Sequence, residues 1–341
     1  MSSPGVVPDF SALRVAVVGD LVADHYLFGE PVRLSREAPV LVLRHRRELL
    51  GAGGAANAAR NMRALGARVT MLGAVGRDRN GRELLELLER DGIDVSPAVT
   101  IAGWTTPTKT RVLGAEPGRT PQQVLRIDRE PEGDVPADAR GELAGRLHEL
   151  AAEVDAVLLS DYGYGLLGEE LAGAAAALRA RGATVVLDPR RSFALFRGIH
   201  AMSPNLGELA LASRRSIEEL SEPGALMASA HELCQRAFLE HVLVTLGNRG
   251  MLLVSRRAGG CWTVPAAGHE AVDVSGAGDT AAAAFTLALA SGATAPQAMR
   301  LANAAASVVV MEMGAVPCAL DKLRSALPVS PEPASAVGVR A

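Results

Sequence analysis

The chain has only three cysteines among 341 residues, Cys234, Cys261 and Cys318, odd in number and far apart. No disulfide framework or Cys-based zinc site has the grouping it needs, and a reducing compartment fits that usage. An excess of positive charge is also missing: 35 Lys and Arg stand against 38 Asp and Glu, a net charge of −3. Without a basic field to release counterions, nucleic-acid binding is not expected. The one basic knot, Arg44-His45-Arg46-Arg47, is short enough to be a solvated strand end. Residues 1–13 lack the basic and apolar regions of a signal peptide, and no uninterrupted 18-residue apolar run occurs. The expectation is a soluble cytoplasmic protein with no membrane partner. Catalytic motifs are missing as well: there is no G-x-x-x-x-G-K-[ST] loop, no H-R-D and D-F-G pair, no H-E-x-x-H and no G-x-S-x-G.

What is present is core-forming material, 48% apolar and 21% charged residues, which excludes global disorder. The length suits about two domains or one large α/β unit. Apolar, β-branched runs at 14–18, 69–75, 156–159, 184–187 and 242–245 predict strands. Ala- and Leu-rich segments at 55–65, 81–90, 143–152, 166–181, 216–240, 278–291 and 295–312 predict helices with one apolar face. That alternation is the pattern of a doubly wound, mostly parallel sheet with helices on both faces. Two stretches, about 39–46 and 98–128, hold short strand-like pieces with no helix between them, suggesting a small β-sheet lid. The expected domain runs over 14–327, with flexible ends at 1–13 and 328–341.

The densest chemistry is Asp273-Val274-Ser275-Gly276-Ala277-Gly278-Asp279-Thr280, directly before an Ala-rich helix. Small residues let backbone approach a ligand, and the N–H groups of Gly276, Ala277 and Gly278 at a helix start would cradle an anion. The helix N-terminus should lower the pKa of Asp279, leaving a carboxylate able to take a proton from a hydroxyl. The alternative is that Asp279 merely caps the helix. Asp20, after the first strand, and Asp24 could accept hydrogen bonds from a polyol, or could form a solvated turn. Gly53, Gly54 and Asn57 open a helix and could touch a ligand or simply pack. Residues 51–56 also fit a degenerate G-x-G-x-x-A dinucleotide fingerprint, but no acidic residue ends the next strand. Asn205 and Glu208 could hold hydrated Mg²⁺ or could be ordinary helix-start chemistry after Pro204. The run Thr245-Leu246-Gly247-Asn248-Arg249-Gly250 reads as a hairpin turn or a nucleotide shelf.

Taken together, the glycine-rich stretch 53–57 and the Asp273–Asp279 stretch resemble the two signature patterns of the ribokinase (PfkB) family of carbohydrate kinases. The similarity covers about residues 14–325. It implies a ribokinase-like fold, ATP and Mg²⁺ as cofactors, and Asp279 as general base with Gly276, Ala277 and Gly278 as anion hole. It further implies that Asn205 and Glu208 order Mg²⁺ through water, and that Thr245, Gly247, Gly250 and Asn303 line the ATP site. Asp20, Gly53, Gly54 and Asn57 would then hold sugar hydroxyls. A monovalent cation near Asp273 and a homodimer are further implications by analogy.

Narrower matches resemble the heptose-7-phosphate kinase half of ADP-heptose synthases: residues 19–26, 33–39, 108–113, 122–128, Leu159-Ser160-Asp161-Tyr162 and Asp188-Pro189. The implied reaction phosphorylates the C1 hydroxyl of D-glycero-D-manno-heptose 7-phosphate to the 1,7-bisphosphate. Lys109 and Arg111, alternate residues on one strand, would face the same side and meet the 7-phosphate, with Arg33 nearby. Tyr164 and Arg190 stand where this subfamily usually has lysine, which bears on the substrate more than on the reaction. No H-x-G-H motif of a nucleotidyltransferase half occurs, so a stand-alone kinase is expected. The rivals are another PfkB-type kinase (ribokinase, fructokinase or phosphofructokinase-like) and a non-catalytic sugar or nucleotide sensor.

Overall fold

The computed structural model describes residues 7–116, 118–266 and 271–327, together with the backbone of Ser335 and Ala336. The expected flexible ends at 1–6 and 328–341 lie, apart from that backbone pair, outside the described residues. Residues 7–13 do not behave as a loose end: Val7 and Phe10 are buried in the core, because an apolar pair next to the first strand has core surface to cover.

In chain order the first part of the fold comprises β1 (Arg14–Gly19), β2 (Leu21–Leu34), β3 (Leu41–Gly54), α1 (Ala55–Ala64), β4 (Arg68–Leu72), β5 (Ala74–Gly76) and α2 (Arg79–Arg90). There follow β6 (Val99–Ile101), β7 (Thr108–Gly114), β8 (Gln122–Arg129), α3 (Ala137–Glu149), β9 (Ala156–Ser160), α4 (Glu169–Ala180) and β10 (Thr184–Asp188). The rest is β11 (Ala201–Met202), α5 (Leu206–Ser213), α6 (Pro223–Arg236), β12 (His241–Thr245), β13 (Met251–Ser255), β14 (Gly260–Val264), α7 (Ala277–Ala290), α8 (Ala295–Val309), α9 (Leu320–Ala326) and β15 (Ser335–Ala336).

The main sheet has the order β15-β14-β13-β12-β11-β10-β9-β1-β4. It is parallel from β4 to β12 and antiparallel beyond. Strand residues are buried on both faces, which is why these segments read as continuous apolar runs. Along β1, Val15 and Val17 join the core under α1, α7 and α8, while Ala16 and Val18 join the core under α3, α4 and α6. The doubly wound architecture predicted from the alternation is therefore what is seen.

A separate small sheet has the order β3-β2-β7-β8. Its strands come from 21–54 and 108–129 rather than from about 39–46 and 98–128. The segment 99–101 pairs instead with β5 in a two-stranded sheet. β2 and β3 lack a clean apolar–polar alternation because burial changes along their length: the start of β2 and the end of β3 are buried near the main sheet, and both become exposed toward the far end. Gly51, Gly53 and Gly54 lie in the end of β3 that pairs with β2, so they are not the turn of a dinucleotide fold. The helix expected over 216–240 begins at Pro223, whose missing N–H suits a first turn and not a helix interior. Segment 69–75 breaks at Gly73, where a Cβ would meet Gly19 O at 2.8 Å. No helix among the described residues is long and apolar enough to cross a membrane.

Candidate active site

The parallel strands β1, β9 and β10 end side by side at Gly19, Ser160 and Asp188, and β12 ends at Thr245 on the same edge, beyond the short β11. Open α/β sheets bind ligands at this edge, and most of the predicted residues gather here. One cavity of about 140 Å³ is lined by Asp161, Tyr162, Asp188, Arg190, Glu208 and Thr245, and on its far side by Gly276, Gly278 and Asp279.

Asp279 lies in the first turn of α7 and is 3% exposed. The residue capping that helix is Gly276, at φ 77°, and it caps with no side chain. Asp279 is thus not the cap. Its Oδ2 accepts a hydrogen bond from Asn57 Nδ2 at 2.8 Å, and its Oδ1 accepts one from the Tyr162 hydroxyl at 2.7 Å. The expected lowering of its pKa by the helix terminus is not what results. Burial dominates and pushes the carboxyl up to about 6, although the two donors and Lys109 pull the other way. It still ionises by neutral pH, and a pKa just below 7 suits a general base.

Of the three residues expected to form an anion cradle, Gly276 and Gly278 line the cavity. Gly278 would carry a Cβ into open space, as a residue beside a ligand must. At Gly276 a Cβ would meet Asn57 Nδ2 at 2.4 Å, so glycine is required there on two counts, the positive φ and the contact. The Ala277 N–H, expected to join the cradle, instead donates to Val274 O at 3.3 Å and closes the turn that starts the helix.

The sugar-binding expectations divide. Asp20 is 2% exposed; its Oδ2 accepts from the backbone N–H groups of Tyr162 and Tyr164, while its Oδ1 is buried without a partner. Burial raises its pKa to about 6. An orphaned buried oxygen is the feature expected of a group waiting for a ligand hydroxyl. Asp24, by contrast, is not a free polyol acceptor: Arg111 Nη1 donates to its Oδ1 at 2.6 Å, and both side chains are largely buried. This also withdraws Arg111 from contact with a phosphate, because a cation facing a buried carboxylate is drawn to it. Asn57 Nδ2 donates to Asp279 Oδ2 at 2.8 Å and to Gly276 O at 3.4 Å. Gly53 and Gly54 serve close packing: added Cβ atoms would meet Asp24 Oδ2 and Asp20 O at 2.7 Å each. Arg33 lies exposed toward the end of β2.

Lys109 faces a second cleft of about 350 Å³ of mixed charge, lined by Arg126, Arg190 and Arg191, by Asp128, Glu130 and Asp134, and by Tyr162 and Tyr164; Arg126 is paired with Asp128. Its ammonium sits 5.1 Å above the Tyr162 ring. Burial lowers its pKa, nearby Arg126 and Arg190 lower it further, and Asp24 opposes them. The two clefts share Tyr162 and Arg190.

On the nucleotide side, Asn205 and Glu208 form a reciprocal capping box on α5: Glu208 N–H donates to Asn205 Oδ1 at 2.9 Å, and Asn205 N–H to Glu208 Oε2 at 2.7 Å. Both readings of the pair thus apply, since Glu208 also lines the cavity, and burial raises its pKa to about 7. Thr245 lies beside them. Gly247 opens the hairpin between β12 and β13 with free space around its Cα. Gly250 closes it at φ 87°, where a Cβ would strike Val264 O at 2.0 Å. Asn303 donates to Pro265 O at 2.9 Å, so it and Gly250 brace the 264–266 segment and do not face the cavity of Asp279. Asp273 is bound on both oxygens by the N–H groups of Ser275 and Gly314. Among the described residues no cluster of three or more His, Cys, Asp or Glu side chains could hold a metal directly.

Sequence reasoning did not assign Tyr162 a role, although it touches Asp279, Asp20 and Lys109. Its position within Ser160-Asp161-Tyr162 directly after a strand was the one available signal.

Comparison with known proteins bears on the whole chain. The sequence profile of the pfkB family carbohydrate kinases matches residues 12–322. Bifunctional protein HldE of Azorhizobium caulinodans is 41% identical over 316 residues, covering 92% of this chain and 64% of that protein. Bifunctional protein HldE of Magnetococcus marinus is 38% identical over 333 residues, with 93% and 64% covered. The chain thus spans under two thirds of the length of these relatives. Among solved structures, the tetrameric inhibited form of phosphofructokinase-2 from Escherichia coli superposes with a TM-score of 0.74 at 21% identity, covering 92% of this chain and 97% of that one. Arabidopsis thaliana ribokinase complexed with ribose and ATP gives 0.69 at 23% identity, with 94% and 100% covered. Both share the ribokinase-like fold with its small separate sheet.

Proposed function

Because the chain belongs to the pfkB family of carbohydrate kinases and is an ATP-dependent sugar kinase, we propose that its acceptor is the C1 hydroxyl of D-glycero-D-manno-heptose 7-phosphate. One juxtaposition carries this reading: the cavity of the buried Asp279 adjoins a cleft where Lys109, Arg190 and Arg191 converge, while Arg126 there is paired with Asp128. Lys109 is half-buried, the guanidinium groups of Arg190 and Arg191 are exposed, and no ion pair among the described residues binds these three, so an anion would complement them; a sugar already bearing a phosphate supplies one. Lys109 and Arg190 are assigned to that phosphate, and the orphaned Oδ1 of Asp20 to a ring hydroxyl. The HldE relatives point the same way.

In the transfer, Asp279 takes the proton of the C1 hydroxyl as its oxygen forms a bond to the γ-phosphorus of ATP. The bond between that phosphorus and the β–γ bridging oxygen breaks, and ADP leaves with the electron pair. The N–H groups of Gly276 and Gly278 oppose charge on the transferring group at the start of α7. Positioning and electrostatics dominate such transfers. Magnesium fits this site only as a hydrated ion shared with the nucleotide phosphates, with Glu208 and Asn205 facing it. When bound it neutralises charge on the phosphate oxygens. Thr245 and Gly247 are assigned to the nucleotide side.

The assembly is assigned as a homodimer, supported by the exposed apolar residues Leu34, Leu41, Leu49, Val124, Leu125 and Ile127 on the small sheet. Light scattering on the purified protein tests this, and a monomer at micromolar concentration refutes it.

An ADP-release assay with Mg-ATP tests the function over heptose 7-phosphate, unphosphorylated heptose, ribose, fructose and fructose 6-phosphate. Turnover confined to the heptose phosphate is the expected result. A preference for another sugar discards the heptose and keeps the kinase.

A further inference from the structure

The group beside the base whose chemistry is not yet used is the phenol of Tyr162, on the loop that follows β9. Its hydroxyl donates to Asp279 Oδ1 at 2.7 Å while Asn57 holds Oδ2 at 2.8 Å. Its backbone N–H donates to Asp20 Oδ2 at 2.8 Å, and its ring lies under the Lys109 ammonium. We propose that Tyr162 is a positioning residue for the phosphoryl transfer, its O–H fixing the carboxylate of Asp279 and holding it in the charged form. This rests on the reading of Asp279 as the base.

The argument is one of charge and direction. Asp279 is faced by Asp24 from β2, Asp188 from β10 and Lys109 from β7, with Asn57 from α1 and Tyr162 completing its surroundings. Two acids and burial favour the protonated form; the hydrogen-bond donors oppose them. Burial and the adjacent carboxylate push the Tyr162 phenol well above its usual range, so it stays protonated and donates. One donor on each oxygen sets the plane of the carboxylate, and each oxygen keeps capacity for a substrate hydroxyl.

Tyr162→Phe is the test, because it keeps the ring under Lys109 and the backbone N–H to Asp20. Hydrogen bonds to charged groups are worth about 1.5–3 kcal/mol, which corresponds to about 10–100-fold. The variant should lose about that factor in kcat/KM near pH 7, with the acidic limb of its pH profile moved upward and KM for ATP unchanged. The deficit should narrow as pH rises, since more of the carboxyl then ionises. A deficit equal at every pH, or none at all, overturns the proposal. Asp279→Asn separates the two readings: if that variant keeps its rate, the base assignment fails. An inactive Asp279→Asn beside a pH-independent loss in Tyr162→Phe sinks only the role of Tyr162. Carbon-13 NMR titration of labelled aspartate, assigned with Asp279→Asn, gives a reading that needs no sugar. An Asp279 midpoint unchanged between wild type and Tyr162→Phe also overturns the proposal.

Discussion

Arg111 donates a 2.6 Å hydrogen bond from Nη1 to Oδ1 of Asp24, joining two neighbouring strands of the small sheet through side chains that are 13% and 6% exposed. A pair so placed gains its attraction only while both members are present. Arg111→Met should therefore destabilise the protein by about 3–5 kcal/mol, the cost of leaving a buried charge unpaired. Adding Asp24→Asn should restore most of that loss. Urea denaturation of the single and double variants measures both. A stable Arg111→Met with a weakened sugar KM would return Arg111 to the substrate.

Lys109 should behave in the opposite way. Lys109→Met is expected to raise KM for the phosphorylated sugar about 10-fold or more while leaving KM for ATP and the melting temperature near wild type. Steady-state kinetics with each substrate varied in turn decide it, and equal effects on phosphorylated and unphosphorylated sugars would count against a phosphate role.

Asp279→Asn should reduce the rate by about 10²–10⁴-fold, the share usual for general-base catalysis, in a protein that still folds. Far-UV circular dichroism and the ADP-release assay check the two halves of that statement. A variant within a few-fold of wild type would remove the base from the mechanism.

The same carboxyl links stability to pH. Its folded-state pKa of about 6 lies above the ordinary 3.8, so the folded protein binds its proton more tightly than the unfolded chain does. The stabilisation is complete below 3.8 and is lost as pH rises through about 6. Relative to Asp279→Asn, the ligand-free wild type should thus be more stable at pH 4.5 than at pH 7.5, by about 2 kcal/mol. Asp20, also raised to about 6, acts with the same sign. Melting curves of both proteins at the two pH values test it, and a constant difference between them contradicts it.

Two glycines in one turn should respond differently. Gly276→Ala forces a residue with a side chain to φ 77° and into Asn57, and should cost about 1–2 kcal/mol besides activity. Gly278→Ala meets open space and should leave stability unchanged while crowding the phosphate. Thermal unfolding of the pair separates backbone strain from ligand obstruction; equal losses would deny the distinction.

Much of this was legible in the order of residues. The main-sheet strands announce themselves because each is buried on both faces and so is apolar throughout, as in Val15–Val18 and Val185–Leu187. Asp279 and its glycines are visible because a positive φ and a close backbone approach admit few other residues. The hairpin at 245–250 is equally readable from Gly247 and Gly250.

The rest depended on partners far away in sequence. Asn57 and Asp279 are 222 residues apart, Tyr162 and Asp279 117, and Asp24 and Arg111 87. Local pattern could mark each as polar and well placed, yet not which carboxylate a given donor would find. It also placed Asp279 at a helix terminus and so predicted a lowered pKa, because the dipole is a local property. Burial is not local: it is set by α1, the loop after β9 and α7 closing over the same carboxylate, and it outweighs the dipole. The sequence by itself determined the fold and the kind of chemistry, since periodicity and glycine requirements act over a few residues. Only the tertiary structure decided which acid is free, which cation is already paired, and in which direction the pKa of Asp279 moves, since desolvation and ion pairing are properties of an assembled site.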